Sequence, residues 1–343
     1  MMEISQEASN KIRNLSIICA FLVIIIHCRP DFEFGSYGWF VKELLEGGVT
    51  HMAVPFFFVI SGFFVGRSLL SAGGYKRVVL NRIQSLLIPF FFFSVLYWLY
   101  KTGLQNALNF VQNKSFVFSL ITLPQLGLWY TGVPLLTPLW YVRAIFVLVL
   151  ISPIIMWGLK RIGVTLLVAL FLVYLVVCPF APLPNWGTVQ DFARVGILPV
   201  LGLFYFSFGI WLYMKFQQKL VVTFNPVFSL CIGCILIAFK VVLAFKCIPY
   251  CWYLVPFSIP FLLYGAYGIM PTNLFPRYLV RNAFAVFLVH RFVLLIFVRV
   301  VNPSYSIITY FLCAILTFAI CIAMSEIMRK IMPKATMVLL GGR

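Results

Sequence analysis

Charged residues are scarce in this chain of 343 residues. They make up 10% of the sequence, only 8 of them are Asp or Glu, and 63% of all residues are hydrophobic. A typical soluble domain has about 25% charged residues, so the composition excludes an ordinary soluble domain and predicts an integral membrane protein. The net charge of +18 would suggest a nucleic-acid partner in a soluble protein. In so apolar a chain it instead predicts positive loops on the cytoplasmic face, and we expect no nucleic-acid partner.

Other familiar signals are also missing. The first apolar run has no A-x-A cleavage motif, so we expect it to be a retained span. Cys231 and Cys234 have metal-like C-x-x-C spacing, but they fall in one predicted helix with no second ligand pair nearby, so we expect packing and no metal. We see no internal repeat and no soluble domain at either end. Residues 1–343 are therefore expected to form a single multi-pass domain.

Apolar runs of spanning length recur along the whole chain. A helix of about 20 apolar residues crosses a bilayer. The runs predict an all-α protein with about ten transmembrane helices, near residues 14–30, 50–68, 86–101, 138–158, 162–180, 194–214, 224–245, 249–270, 280–300 and 305–327. Within "VISGFFVG" of the second run, Gly62 lies at mid-span and permits close approach of another helix.

The distribution of Lys and Arg orients these helices. With both termini in the cytoplasm, sixteen Lys and Arg fall in cytoplasmic segments and seven in outer ones, and the reverse orientation inverts this ratio. Two longer extracytoplasmic loops result, at 31–49 and 102–137. We expect the second loop to contain an interfacial or re-entrant piece, because it is rich in aromatic residues and Leu.

Ionisable side chains inside the predicted spans are candidates for a functional site. Arg or Lys at the middle of a span costs about 2.5–3.5 kcal/mol, so such residues usually face a bundle interior or a wet cavity. The predicted orientation places several of them at a similar depth, in the middle or outer half of the membrane. The six candidates are His27, Arg143, Lys240, His290, Arg291 and Glu326.

Each candidate also has a simpler interpretation. A single membrane histidine such as His27 can bond a neighbouring carbonyl, Lys240 can pack or snorkel, and Glu326 can pair with Arg329 three residues on. Arg13 lies fourteen residues before His27, which is ~21 Å along a helix and about 40° from the same face. Arg13 then either binds a substrate at the cytoplasmic end of the helix or only anchors the helix at the cytoplasmic membrane surface.

Six segments in order resemble the membrane acyltransferase-3 family. They are "IRNLSIICAFLVIIIHC", "AVPFFFVISGFFVG", "YKRVVLNRIQSLLIPFF", "LTPLWYVRAIFVLVLISPII", "LFYFSFGIWLY" and "NAFAVFLVHRFVL". The resemblance covers nearly the whole chain. It implies a bacterial inner-membrane protein with ten spans that O-acylates the sugars of polysaccharides, lipopolysaccharide or peptidoglycan.

The resemblance assigns roles to particular residues. His27 corresponds to the family's helix-one histidine, the expected catalytic base. The family usually places an arginine eleven positions before that histidine, where this chain has Ser16, and we hypothesise that Arg13 takes its place. Arg82 matches the first member of a basic pair before helix three, whereas Ser85 stands in place of the second.

The sequence thus predicts a membrane O-acyltransferase. An acyl group, expected to be acetyl, passes from cytoplasmic acyl-CoA to a hydroxyl of an extracytoplasmic or lipid-linked glycan. Acyl-CoA is a co-substrate, and we expect no tightly bound cofactor. His27 acts as general base, Arg143 or the His290-Arg291 pair stabilises the oxyanion, and the CoA phosphates are held by Arg13, Arg77 and Arg82.

Two other function classes remain open at this point. A polysaccharide or anion transporter of the same family would also place cations and histidines inside the membrane. The chain lacks the paired broken helices of an inverted-repeat transporter, although Pro256 and Pro260 interrupt one predicted helix. A scaffolding subunit explains few of the intramembrane charges.

Overall fold

A computed structural model describes residues 4–70, 74–111, 115, 134, 136–177, 199–217 and 224–340, and within these residues it contains helices and no strands. We number the helices in chain order. They are α1 (Gln6–Cys28), α2 (Tyr37–Leu45), α3 (Ala53–Leu69), α4 (Gly74–Arg82), α5 (Ile88–Val111), α6 (Leu139–Ile162), α7 (Val164–Val176), α8 (Val200–Gln217), α9 (Pro226–Phe245), α10 (Leu254–Ile269), α11 (Arg277–Val280), α12 (Ala283–Val301), α13 (Ile307–Ile331) and α14 (Pro333–Leu339).

Helices occur at all ten segments that the sequence predicts. Within the described residues, seven helical stretches are long and apolar enough to cross a membrane, and three further apolar helices are shorter, at Val164–Val176, Val200–Phe216 and Ala283–Val298. These findings confirm an all-helical architecture with multiple membrane-spanning helices. They are typical of a multi-pass membrane protein.

Several helices differ from the predicted bounds because a helix continues beyond its apolar stretch. α1 begins at Gln6 rather than near residue 14, since the Ser5 hydroxyl accepts from the Ala8 N–H at 3.1 Å and caps it. α5 runs to Val111 rather than 101, so helix replaces the first part of the predicted 102–137 loop. Most of that loop, and with it the predicted re-entrant piece, lies outside the described residues.

Four short helices, α2, α4, α11 and α14, were not predicted because they fall below spanning length or are too polar. α2 forms within the predicted outer loop 31–49, and α14 follows the last long helix. α4 continues through a π-helical turn, Ile83–Leu87, into α5.

Glycines allow α3 and α8 to cross at very short range. A Cβ on Gly62 would lie 2.0 Å from the carbonyl oxygen of Phe206, and a Cβ on Gly209 would lie 2.0 Å from that of Val59. No L side chain fits at either position without moving the opposing backbone. The prediction that Gly62 permits close helix approach is therefore confirmed.

Hydrogen bonds at both ends of α1 define the direction of the bundle. Near the start of α1, buried Asn14 donates to the carbonyl oxygen of Pro271 at 2.8 Å, just before α11 and α12. Beyond its end, the Asp31 N–H donates to Ser304 Oγ at 2.8 Å, in the α12–α13 connection. α1 and α12 are therefore parallel, and α13 runs antiparallel to both. We call the end with Asn14 and Ile331 the terminal end, and the end with Asp31 and Ser304 the distal end.

Two ion pairs hold the outer elements of the bundle. Lys240 on α9 is fully buried, pairs with Glu43 on α2, and places Nζ 3.4 Å from the ring centroid of Trp252. The side chain does pack, but the snorkelling alternative is wrong, because the fully buried ammonium finds its partners in a partly buried carboxylate and an aromatic face. α2 is therefore fixed against α9.

The second pair joins the start of α12 to the end of α13. Glu326 pairs with Arg281 through both carboxylate oxygens, and Arg329 lies farther away at 4.0 Å. The expected pairing with Arg329 is thus secondary. Hydrogen bonding to Glu326 raises the pKa of the Arg281 guanidinium above its ordinary value.

Candidate functional site

Two histidines from different helices stack inside the bundle. The ring centroids of His27 on α1 and His290 on α12 are 5.3 Å apart, with an angle of 25° between the ring planes. His290 is fully buried and His27 is partly buried. Both residues had been predicted to lie at similar depth, and the structure brings them into direct contact.

The hydrogen bonds of His290 fix where its proton lies. Its Nδ1 is 2.8 Å from the carbonyl oxygen of Phe287 and 3.1 Å from that of Val286. Carbonyl oxygens only accept hydrogen bonds, so Nδ1 is the protonated nitrogen. Nε2 is buried and has no hydrogen-bond partner among the described residues. In the neutral ring Nε2 is an acceptor, so it is suited to receive a proton or a hydrogen bond rather than to donate one.

Arg291 lies beside the histidine pair. It is partly buried and interacts with the hydroxyl of Tyr97 on α5. It is also close enough to His27 and His290 for its charge to act on both imidazoles. A guanidinium at this position supplies hydrogen-bond donors that neutral His290 lacks.

A cavity lies on the terminal side of the histidine pair. His27, His290 and Arg291 do not line it, but Phe287 does, and its ring centroid is 6.2 Å from that of His290. The cavity has a volume of about 110 Å³, and it is lined by Ser16, Phe57, Ile60, Ser61, Phe64, Arg82, Ser85, Leu86, Tyr141, Ile145, Ala283, Phe284 and Phe287. Ser16 precedes His27 by eleven residues, which places the two about 20° apart around α1 and roughly 16 Å apart along it. Ala283 and His290 are likewise about 20° apart on α12. Ser16 and His27 therefore lie on nearly the same side of α1, and Ala283 and His290 lie on nearly the same side of α12.

A larger cavity adjoins the first at the terminal end. Its volume is about 720 Å³, and it shares Phe64, Arg82 and Ser85 with the smaller cavity. Its other lining residues are Val65, Arg67, Ser68, Val78, Asn81, Gln84, Ile88, Met337 and Val338. No Asp or Glu is among the described residues that line either cavity. The guanidiniums of Arg67 and Arg82 therefore make the two cavities positively charged.

Three side chains at the junction of α4 and α5 share one cavity. Ser85 and Leu86 lie in the π-helical turn Ile83–Leu87, and Arg82 immediately precedes it. Arg82, Ser85 and Leu86 are spaced i, i+3 and i+4, the spacing of neighbours on one side of a helix, and all three line the smaller cavity.

The structure does not bring every predicted site residue to these cavities. Arg13 and Arg77 are exposed and line neither cavity. On α1 it is Ser16, rather than Arg13, that faces the smaller cavity. Arg143 is buried on α6, but the cavity-lining residues of α6 are Tyr141 and Ile145, and Arg143 lies about 200° around the helix from each.

Sequence reasoning missed two residues of this site. Arg67 is one of the sixteen Lys and Arg of the predicted cytoplasmic segments, and the sequence gives it no other role. In the structure it lies in the last turn of α3 and lines the larger cavity together with Arg82. Tyr97 had no signal in the sequence, because its contact with Arg291 depends on how α5 packs against α12. No group of three or more His, Cys, Asp or Glu within the described parts of the chain is arranged to hold a metal ion.

The architecture and site define a multi-pass helical membrane protein. It has a stacked imidazole pair on the distal side of a positively charged cavity. A family model described as an acyltransferase domain matches residues 10–326. The chain belongs to this acyltransferase-3 family and is a membrane acyltransferase, as the six sequence segments predicted. No curated protein and no solved structure matches the chain.

Proposed function

We propose that this acyltransferase moves an acetyl group from acetyl-CoA to a hydroxyl of an extracytoplasmic or lipid-linked glycan. The observation that supports it best is the pair of adjoining cavities lined by Arg67 and Arg82, with the stacked imidazoles of His27 and His290 on the distal side of the smaller cavity. Arginine suits bidentate contact with phosphate, and imidazole suits proton transfer near neutral pH.

The proposal includes a topology. The chain crosses a bacterial inner membrane ten times with both termini in the cytoplasm, so the terminal end faces the cytoplasm and the distal end faces outward. The excess of Lys and Arg in the predicted cytoplasmic segments supports this orientation. Acyl-CoA then enters from the terminal end, and the glycan reaches the imidazole pair from the distal end.

The transfer step follows from the positions of the polar groups. His27 takes the proton of the glycan hydroxyl as its oxygen attacks the thioester carbon, and Arg291 stabilises the oxyanion that forms. The new C–O bond then displaces the CoA sulfur, which leaves as a thiol after taking the proton from the His27 imidazolium. His290, with Nδ1–H bound to the Phe287 carbonyl, orients the stacked ring. The oxyanion role goes to Arg291 rather than Arg143 because the charge of Arg291 acts on both imidazoles and that of Arg143 on neither.

Histidine variants test this proposal, because the chain has 3 histidines and one is outside the site. We expect His27→Gln to lower acetyl transfer by ~10²–10⁴-fold, the usual contribution of a general base. His290→Gln should lower it as well. His51→Gln is the matched control, since His51 lies in the short 3₁₀ turn Val49–Met52 and is not part of the stacked imidazole pair.

The assay uses purified protein in vesicles with labelled acetyl-CoA and a pool of host glycans. Release of CoA that depends on the glycan and is lost in His27→Gln supports the enzyme. Near-normal turnover in His27→Gln would refute the role of this residue. Movement of glycan across the vesicle membrane without consumption of CoA would instead support a transporter.

A further inference from the structure

The C-terminal helix α14 forms one wall of the larger cavity. Its residues Met337 and Val338 line the cavity and are 61% and 47% exposed. Ligand sites typically combine apolar walls with a few convergent polar groups, and Met337 and Val338 face the same cavity as polar side chains. α14 is therefore a candidate wall of a ligand site.

α14 is fixed to α13 by hydrogen bonding and burial, whereas Met337 and Val338 remain exposed. Thr336 is buried, and its Oγ1 donates to the carbonyl oxygens of Met332 at 2.7 Å and Met328 at 2.9 Å. Leu340, just beyond the helix, is also buried. α14 thus uses Thr336 and Leu340 to dock, and it presents Met337 and Val338 to the cavity.

The other walls of the larger cavity include polar side chains. Arg67 and Arg82 supply positive charge, and Ser68, Asn81, Gln84 and Ser85 supply further polar side chains. The volume of about 720 Å³ is in the range of small-molecule sites. Such a cavity is complementary to an amphiphilic anion, whose phosphates meet the guanidiniums and whose less polar part meets α14.

We propose that α14 is a binding element for the acyl donor. Met337 and Val338 pack against the nucleotide or pantetheine part of acyl-CoA while Arg67 and Arg82 hold its phosphates. This inference rests on the proposed use of acyl-CoA. It adds the C-terminal helix to the site and predicts that α14 determines the affinity for the donor.

Binding of free CoA to the purified full-length protein tests the inference. We expect Met337→Glu to raise the Kd for CoA by about tenfold or more, because the new carboxylate faces the phosphates and the apolar contact is lost. In transfer assays the loss should fall on KM for acetyl-CoA. Val338→Glu is a second variant at the same wall. Lys160→Glu, at an exposed position near the end of α6 that lines neither cavity, is the matched control and should change the Kd by less than about threefold at physiological salt.

The outcomes separate this inference from the function on which it rests. If the wild type consumes acetyl-CoA while Met337→Glu and Val338→Glu bind CoA as tightly as Lys160→Glu, α14 is not a donor-binding element. If the folded wild type neither binds CoA nor consumes acetyl-CoA, both proposals fail. Size-exclusion profiles and thermal stability matching those of the wild type show that the variants are folded.

Discussion

Adding one methyl group to Gly62 should destabilise the protein, because α3 and α8 leave no space there. The added Cβ would lie 2.0 Å from the Phe206 carbonyl oxygen, a distance that real contacts do not reach, so the helices must move apart by about 1 Å or more. Such overpacking usually costs ~1–3 kcal/mol. The displacement should also lower acyl transfer, since Phe57, Ile60 and Ser61 of α3 line the smaller cavity.

Gly103 in α5 provides the matched control. A Cβ built there has no other atom within 4 Å, and Ala is favoured over Gly in a helix by ~1 kcal/mol. Gly103→Ala should therefore leave stability unchanged or raise it, whereas Gly62→Ala should lower it. Thermal unfolding of the two variants in detergent micelles measures the difference. If Gly62→Ala melts at or above the temperature of Gly103→Ala, the close crossing of α3 and α8 is wrong.

Two further substitutions test contacts that support the site. Tyr97→Phe removes the hydroxyl beside Arg291 but keeps the ring contact with Phe292 at 5.3 Å, so we expect turnover to fall by roughly tenfold with little change in KM. Tyr100→Phe is its control, and equal losses in both variants would contradict a positioning role. Lys240→Met leaves the partly buried Glu43 carboxylate without its cation and should cost up to ~3 kcal/mol of unfolding free energy. Adding Glu43→Gln should recover part of that loss in thermal unfolding, and a purely additive double variant would contradict the buried pair.

The positions of the long helices could be predicted because the requirement is local. Each spanning helix needs a continuous apolar stretch, and that stretch is visible in the sequence whatever lies next to it. α2 and α14 could not be found this way. They are too short to span, and their stability depends on non-local contacts such as the ion pair of Lys240 with Glu43 and the burial of Leu340.

The candidate site was predictable in part for the same reason. His27 and His290 stand out because an imidazole inside an apolar run is rare, and the direction of each helix gives its depth. The face of a helix is harder to predict. Arg13 and Ser16 are about 60° apart on α1, and either could face the cavity until α3 and α12 are in place. The proton on Nδ1 of His290 likewise depends on the backbone carbonyl of Phe287, which no residue pattern reveals.

The π-helical turn at Ile83–Leu87 determines where the length of this segment can change. A π turn contains one more residue than the α-helical turn it replaces. Deleting a single residue there would restore regular α geometry and leave α4 in nearly its present orientation relative to α5. Deleting a residue from the start of α5 instead, with the π turn intact, would turn α4 by about 100° relative to the rest of α5 and swing Arg82 away from both cavities. The π turn is therefore the place in this stretch where a one-residue deletion is tolerated best.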